Sequence, residues 1–230
     1  MPRFPRIVPL GDNGLTVEFT PRIDPKIHER VLAYAAALEN HPLLGQLEVV
    51  PTYRSITVYF DPGCVDHQTL TARLRRIATK PRRTTRRRAR LITVPVLYTP
   101  DVAPDLEAVA SETHLTVEEV VRWHTQRLYR VYMLGFMPGF PYLGTVPDRI
   151  AVPRLATPRT TVPAGSVGIA GSQTGIYPRA SPGGWRIIGR TPIPICDVRR
   201  PQPFLLKAGD RVQFHSIDRD EFMKLSPRLA

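Results

Sequence analysis

The chain has 230 residues, 42% of them hydrophobic and 23% charged, a balance that sustains one large or two small packed domains and excludes a disordered chain. No apolar run reaches the roughly 18 residues of a membrane span, so no membrane partner is expected. The opening residues, Met1-Pro-Arg-Phe-Pro5, hold no apolar stretch of the kind a secretory leader needs, so a cytoplasmic protein is expected.

The formal net charge of +12 points to an anionic partner. Much of that excess is one segment: Lys80, Arg82, Arg83, Arg86, Arg87, Arg88 and Arg90 stand close together without an intervening acid. The segment has no aromatic residue and no recognition helix, so it reads as a solvated linker over residues 81–90 and nucleic acid is not expected. Cys64 and Cys196 lie far apart, each without a neighbouring Cys or His pair. Both are expected to be reduced thiols, in neither a zinc site nor a disulfide.

Residues 1–80 read as an α/β domain. Residues 15–19 alternate like a strand. Asp24-Pro25 supplies an N-cap with proline at the first helical position, and Ile27, Val31, Tyr34 and Leu38 follow on one helical face. Residues 47–50 and 55–60 read as strands, with Ile56, Val58 and Phe60 on one face. Asp66 caps a second helix through Leu70, Leu74 and Ile77. The order β-α-β-β-α predicts a ferredoxin-like or split βαβ layer.

Residues 91–230 read as a second domain. Residues 91–98 form a strand and 106–112 a short helix. Thr116-Val-Glu-Glu119 is a capping box that opens a helix to about Gln126. Beyond Tyr129 come short apolar runs punctuated by Gly and Pro, which predict a β-rich domain with tight turns and no long helix. Tyr129 and Tyr132 are expected to pack. Lys207-Ala-Gly-Asp210 reads as a turn before a strand over 211–214. The overall fold class is therefore α+β.

The usual catalytic signatures are missing. There is no Walker A sequence, no nucleophile elbow and no His-Glu-x-x-His, and the six histidines show no ligand spacing. The Gly, Pro, Arg and aromatic residues between Tyr129 and Thr191 carry the chemistry. Gly135-Phe-Met-Pro-Gly-Phe-Pro-Tyr-Leu-Gly144 presents rings beside backbone, a wall for a flat ligand. Arg154 and Arg159, each next to a proline, suggest guanidinium groups on rigid loops suited to carboxylate or phosphate. The same residues also suit a barrel with tight corners, in which Trp185 fills the core. His124 shares a helical face with Val117, Val120 and Val121, which leaves a core histidine and a catalytic one both open.

Those motifs carry a resemblance. The 135–144 block, Pro158-Arg159, Val162-Pro-Ala-Gly-Ser166, Gln173-Thr-Gly-Ile-Tyr-Pro178, Ser181-Pro-Gly-Gly-Trp185 and Gly189-Arg-Thr-Pro192 resemble the signature blocks of the PxpB/KipI family, also called allophanate hydrolase subunit 1. Gly11-Asp12, Val50-Pro-Thr-Tyr-Arg-Ser55, Tyr59-Phe-Asp-Pro62 and Val94-Pro-Val-Leu-Tyr98 extend it over residues 6–215. The basic segment departs from the pattern.

The resemblance implies a KipI-type α/β domain followed by a cyclophilin-like β-barrel. It also implies partners of the PxpC (allophanate hydrolase subunit 2) and PxpA (LamB/YcsF) types. Together these resemble the complex that opens 5-oxoproline to L-glutamate with hydrolysis of ATP, the nucleotide being a co-substrate carried with magnesium. Arg159, Gln173 and His124 are then the catalytic candidates. Arg154 and Arg190 are further cations for phosphoryl charge, and Ser181 with the amides of Gly183 and Gly184 positions substrate. Phe136, Phe140, Tyr177 and Trp185 wall the pocket, and Gly139, Ser166 and Thr191 complete the binding set. No carboxylate pair in these blocks suits magnesium, so no metal ligand is assigned here and a metal site is expected on the partner. Two other readings follow from the resemblance: a KipI-like histidine-kinase inhibitor, and a urea or allophanate carboxyltransferase component.

Overall fold

In the computed structural model, which describes residues 4–79 and 89–226, the chain divides into Met1–Arg88 and Ala89–Ala230. In the first unit, strands β1 (Arg6–Pro9), β2 (Gly14–Glu18), β3 (Gln46–Pro51) and β4 (Ser55–Phe60) form a sheet ordered β1-β2-β4-β3. All neighbouring strands are antiparallel. Helix α1 (Pro25–Asn40) leads from β2 to β3. Those two strands run in the same direction with β4 between them, which makes the unit a split βαβ.

The local signals hold. The carboxylate of Asp24 accepts from Lys26 N (2.7 Å) and Ile27 N (3.2 Å), as an N-cap should. Asp66 accepts from Thr69 N at 2.7 Å and opens α2 (His67–Thr79). Val31 and Leu38 of α1, Leu70 and Leu74 of α2, and Ile56, Val58 and Phe60 of β4 meet in one core. Tyr34 donates to Leu74 O at 2.7 Å and ties the helices together. Strand β1 lies outside the sequence expectation. Its four residues follow Pro5 and end on Pro9, too short for alternation to register; it is held by Ile7 opposite Val17 and by Arg6 on Glu18 (2.6 Å).

The second unit is a mixed seven-stranded sheet of β5 (Leu91–Val96), β6 (Leu128–Leu134), β7 (Pro141–Gly144), β9 (Ser166–Ala170), β10 (Gln173–Ile176), β12 (Arg186–Arg190) and β13 (Arg211–Ser216). Its order is β12-β9-β10-β7-β6-β13-β5, and only β13 and β5 are parallel. The two edges meet: Leu97, just past β5, exchanges backbone hydrogen bonds with Arg190 (2.8 and 2.9 Å). This pairing joins what would otherwise be open strand edges. Strands β8 (Arg159–Val162) and β11 (Ser181–Gly183) form a separate ribbon. Helices α3 (Leu106–Thr113) and α4 (Val117–Thr125) add Val109 and Val120 to the core.

Two further features depart from the sequence reading. Helix α5 (Arg219–Leu225) buries none of its residues, so no apolar period announces it; Asp218 caps it through Glu221 N at 2.8 Å. Most of the basic segment lies outside the described residues, but Arg90 is described and belongs to the second unit. Its guanidinium pairs with the buried carboxylate of Asp210 and donates to Leu205 O at 3.1 Å, which fixes the entry to β5. Among the described residues, no helix is long and apolar enough to cross a membrane.

The capping box of α4 is formed in full: Glu119 N donates to Thr116 Oγ1 (3.2 Å) and Thr116 N to Glu119 Oε2 (2.9 Å). Thr116→Ala is therefore expected to cost about 1 kcal/mol, read as a lower denaturation midpoint at unchanged slope.

Candidate active site

The turn from β6 to β7 sets the geometry. Phe140 N donates to Met137 O and Gly135 N to Phe140 O, each at 3.1 Å, which folds residues 135–140 into a tight loop. Gly139 has a φ of +84°, and a Cβ there would stand 2.9 Å from the Cβ of Cys196, so conformation and space both require glycine. Phe136 has a φ of +67°, a left-handed backbone that is uncommon for an aromatic residue, and its ring is 63% exposed.

Phe140 is the hub beneath that loop. Its ring meets Phe136 (5.6 Å), Tyr142 (5.0 Å), Tyr177 (5.2 Å) and Trp185 (5.3 Å), all steeply inclined. Edge-to-face packing of this kind adds stabilisation beyond area burial. Phe140, Tyr177 and Trp185 are buried. These three form a core beneath the surface instead of the open ligand wall expected for them; only Phe136 presents its ring to solvent. Beside it opens a shallow apolar groove of about 320 Å³ lined by Leu134, Met137, Pro138 and Phe204.

The three candidate arginines separate. Arg159, on β8, donates twice to Asp105, at 2.8 and 2.7 Å, and Asp105 also accepts from Ile187 N at 2.6 Å. Asp105 is buried, so this guanidinium is committed to the fold. Arg190 donates through Nε to Ala164 O (2.9 Å), and its backbone makes the edge pairing with Leu97. Arg154 is exposed and lies over the Trp185 ring at 5.9 Å.

His124 is not brought to this region. It is fully buried, its ring stacked on Phe214 at 4.6 Å. Tyr98 Oη lies 2.8 Å from Nδ1 and Thr174 Oγ1 lies 3.0 Å from Nε2. Thr174 gives its only proton to Gly168 O (2.9 Å), so it accepts from Nε2–H, and Nδ1 accepts from Tyr98. Burial pushes the imidazole down to about 3, so it is neutral in this hydrogen-bonded chain. Its role is that of a core histidine, and the catalytic alternative is set aside.

Ser166 and Thr191 are buried as well. They frame the 163–166 turn, where Thr191 N donates to Gly165 O (2.9 Å) and Tyr177 N to Ser166 O (2.9 Å). Gln173 opens β10 opposite Gly144 and Ala170. Ser181 and Gly183 lie on β11, and Gly184 O accepts from Leu155 N at 2.8 Å. Gly184 is half-buried, and a Cβ on Gly183 would strike Tyr177 Oη at 2.4 Å. Phe136, Tyr177, Gly183, Gly184, Trp185 and Arg154 therefore share one neighbourhood, whereas His124, Ser166 and Thr191 belong to the core and Arg159 to an ion pair.

Sequence reasoning missed Asp105 and Tyr142. Asp105 lies in the loop before α3, and only the tertiary placement of β8 and β12 reveals it as the partner of Arg159. Tyr142 stands in the 135–144 block, the one signal available. Burial raises the hydroxyls of Tyr142 and Tyr177 above the ordinary phenol range, and the positive field of Arg154 partly offsets it; at Tyr177 the backbone N–H of Trp185 also lowers it. Both remain protonated donors at neutral pH. Among the described residues, no group of three His, Cys, Asp or Glu side chains is arranged to hold a metal.

Residues 5–206 match the family model described as carboxyltransferase domain, subdomain C and D. A 5-oxoprolinase subunit of Bacillus subtilis is 40% identical over 231 residues, covering 94% of this chain and 95% of that protein. The crystal structure of TTHA0988 superposes with a TM-score of 0.79 at 39% identity over 89% of this chain, which spans only 40% of that longer one. The urea amidolyase of K. lactis shares the fold at 21% identity, with a TM-score of 0.77 over 95% of this chain and 15% of its own.

Two outcomes are expected. Asp105→Ala strands the Arg159 guanidinium and Ile187 N–H; because Arg159 is partly solvated, the loss is about 2–3 kcal/mol, measured by chemical denaturation. The depressed His124 means the unfolded chain binds a proton that the folded chain refuses. Stability is therefore full above pH 6.5 and falls as pH drops from there toward 3, by up to about 1.4 kcal/mol per unit. His124→Gln removes that slope in denaturation curves recorded between about pH 7 and 4.

Proposed function

Because the chain belongs to the family of the carboxyltransferase domain, subdomains C and D, we propose that it is one subunit of an ATP-dependent 5-oxoprolinase that converts 5-oxo-L-proline to L-glutamate. The observation that carries the reading is the nearly full-length match to a subunit of a 5-oxoprolinase. The partners are a PxpC-type and a PxpA-type protein, and the chain is inactive alone. The greater length of TTHA0988 supports a second module working alongside this one. We read the first unit as ferredoxin-like, on its β1-β2-β4-β3 order, and the second as a cyclophilin-like barrel, on its rolled sheet. The setting is the cytoplasm.

The chemistry explains the coupling to ATP. The lactam amide is resonance-stabilised, and transfer of the γ-phosphoryl group to its oxygen weakens that resonance. Water adds to the ring carbon, and the C–N bond breaks as the amine takes a proton. A second water releases phosphate from the resulting acyl phosphate. Such steps depend on positioning and on positive charge near the phosphoryl group. With Arg159 committed to Asp105 and Arg190 to Ala164, the positive charge at the phosphoryl group is assigned to other groups of the complex. Magnesium is assigned to the partners.

Purified with its PxpC- and PxpA-type partners, the chain is expected to support ATP hydrolysis that depends on 5-oxoproline, with glutamate formed only when all three proteins are present. An intact complex without that stimulation would overturn the reading in favour of a kinase-inhibitor or carboxyltransferase role.

A further inference from the structure

Arg154 is the candidate cation for which the described residues supply no side-chain hydrogen bond or ion pair, whereas Arg190 donates to Ala164 O. The Arg159–Asp105 pair cancels itself, and Arg186 pairs with Glu112 at 3.0 Å. Among the described residues Arg154 has no carboxylate partner; its one described contact is with the face of Trp185. Its backbone is held on both sides. Pro153 O accepts from Arg186 Nε at 3.3 Å, and Leu155 N donates to Gly184 O at 2.8 Å. An exposed arginine on a loop clamped at both flanking residues is a pre-positioned donor fork, so less side-chain freedom is lost when an anion binds.

The surroundings define what it would bind. The guanidinium carbon lies over the indole at 5.9 Å from its centroid, and the N–H groups of the fork suit a planar oxyanion such as a carboxylate. The exposed ring of Phe136, 6.5 Å from that of the buried Tyr177, borders the apolar groove, which suits the methylene side of a small ring.

We propose that Arg154, on a loop clamped at both flanking residues over Trp185, is the subsite that binds the carboxylate of a small cyclic amide acid. The inference rests on the oxoprolinase reading for the identity of that acid. It makes Arg154 a carboxylate anchor, and charge development at the lactam oxygen falls to groups elsewhere in the complex.

The test is calorimetric binding of 5-oxoproline to the assembled complex, run in parallel with turnover. Wild type is compared with Arg154→Ala, Arg154→Lys and the control Arg149→Ala, which removes another arginine set over an indole, that of Trp123. Arg154→Ala is expected to weaken 5-oxoproline binding about 10- to 100-fold, to raise KM for it by a similar factor, and to leave KM for ATP and the melting temperature unchanged. Arg154→Lys retains part of the affinity, and Arg149→Ala all of it. The uncharged carboxamide of 5-oxoproline binds weakly and equally to wild type and Arg154→Ala. Unchanged 5-oxoproline binding by Arg154→Ala, with turnover intact, overturns the subsite and leaves the oxoprolinase reading standing. A wild-type complex that binds 5-oxoproline through Arg154 without turning it over overturns that reading and keeps the subsite. Neither binding nor turnover in wild type overturns both.

Discussion

The buried carboxylate of Asp105 organises the second unit. It receives the Arg159 guanidinium from β8 and the backbone N–H of Ile187 from β12, and its own N–H donates to Ile187 O at 3.0 Å. One side chain thus ties the start of α3, strand β12 of the seven-stranded sheet and the β8–β11 ribbon together. The ribbon carries Gly183 next to Tyr177, and β12 follows directly from Trp185. The arrangement of the exposed surface depends on this internal ion pair, and a buried charge of this kind is tolerated only when its hydrogen bonds are made.

A second constraint is close packing around Phe140. A Cβ on Gly175 would stand 2.8 Å from the Phe140 ring and 3.0 Å from that of Trp185, and one on Gly183 would meet the Tyr177 hydroxyl. The glycines of this region are spaces for aromatic rings as much as turns. Side chains packed this densely move little, so the residues at the surface of the cluster, Phe136 and Arg154, stand on a rigid base. The strained backbone of Phe136 fits this picture: the loop bonds at Gly135 and Phe140 hold it in place.

Much of the architecture was legible because its signals are local. Asp24, Asp66 and Thr116 cap helices by contacts within three residues, and alternation in residues 55–60 places Ile56, Val58 and Phe60 in the core. What escaped was short or lacked a buried face: β1, whose place depends on pairing with β2, and α5, which buries nothing. The site was legible as a region but not in its roles. Arginines in these glycine- and proline-rich blocks look alike in sequence, yet Arg159 meets an acid 54 positions away, Arg190 a turn carbonyl 26 positions away, and Arg154 an aromatic face.

The sequence by itself determined the helix starts, the strand faces, the glycine-rich character of the second unit and the family blocks, since each depends on residue types at short, fixed spacing. The tertiary structure alone decided which of those residues stay available for chemistry. Burial and hydrogen-bond partners are set by strands distant along the chain. Pairing β10 beside β9 places Thr174 against Gly168 and so seals His124 into the core as a neutral imidazole. Bringing α3, β8 and β12 together neutralises Arg159. Arg154 keeps its charge exposed because its loop crosses Trp185 where no acid reaches it among the described residues.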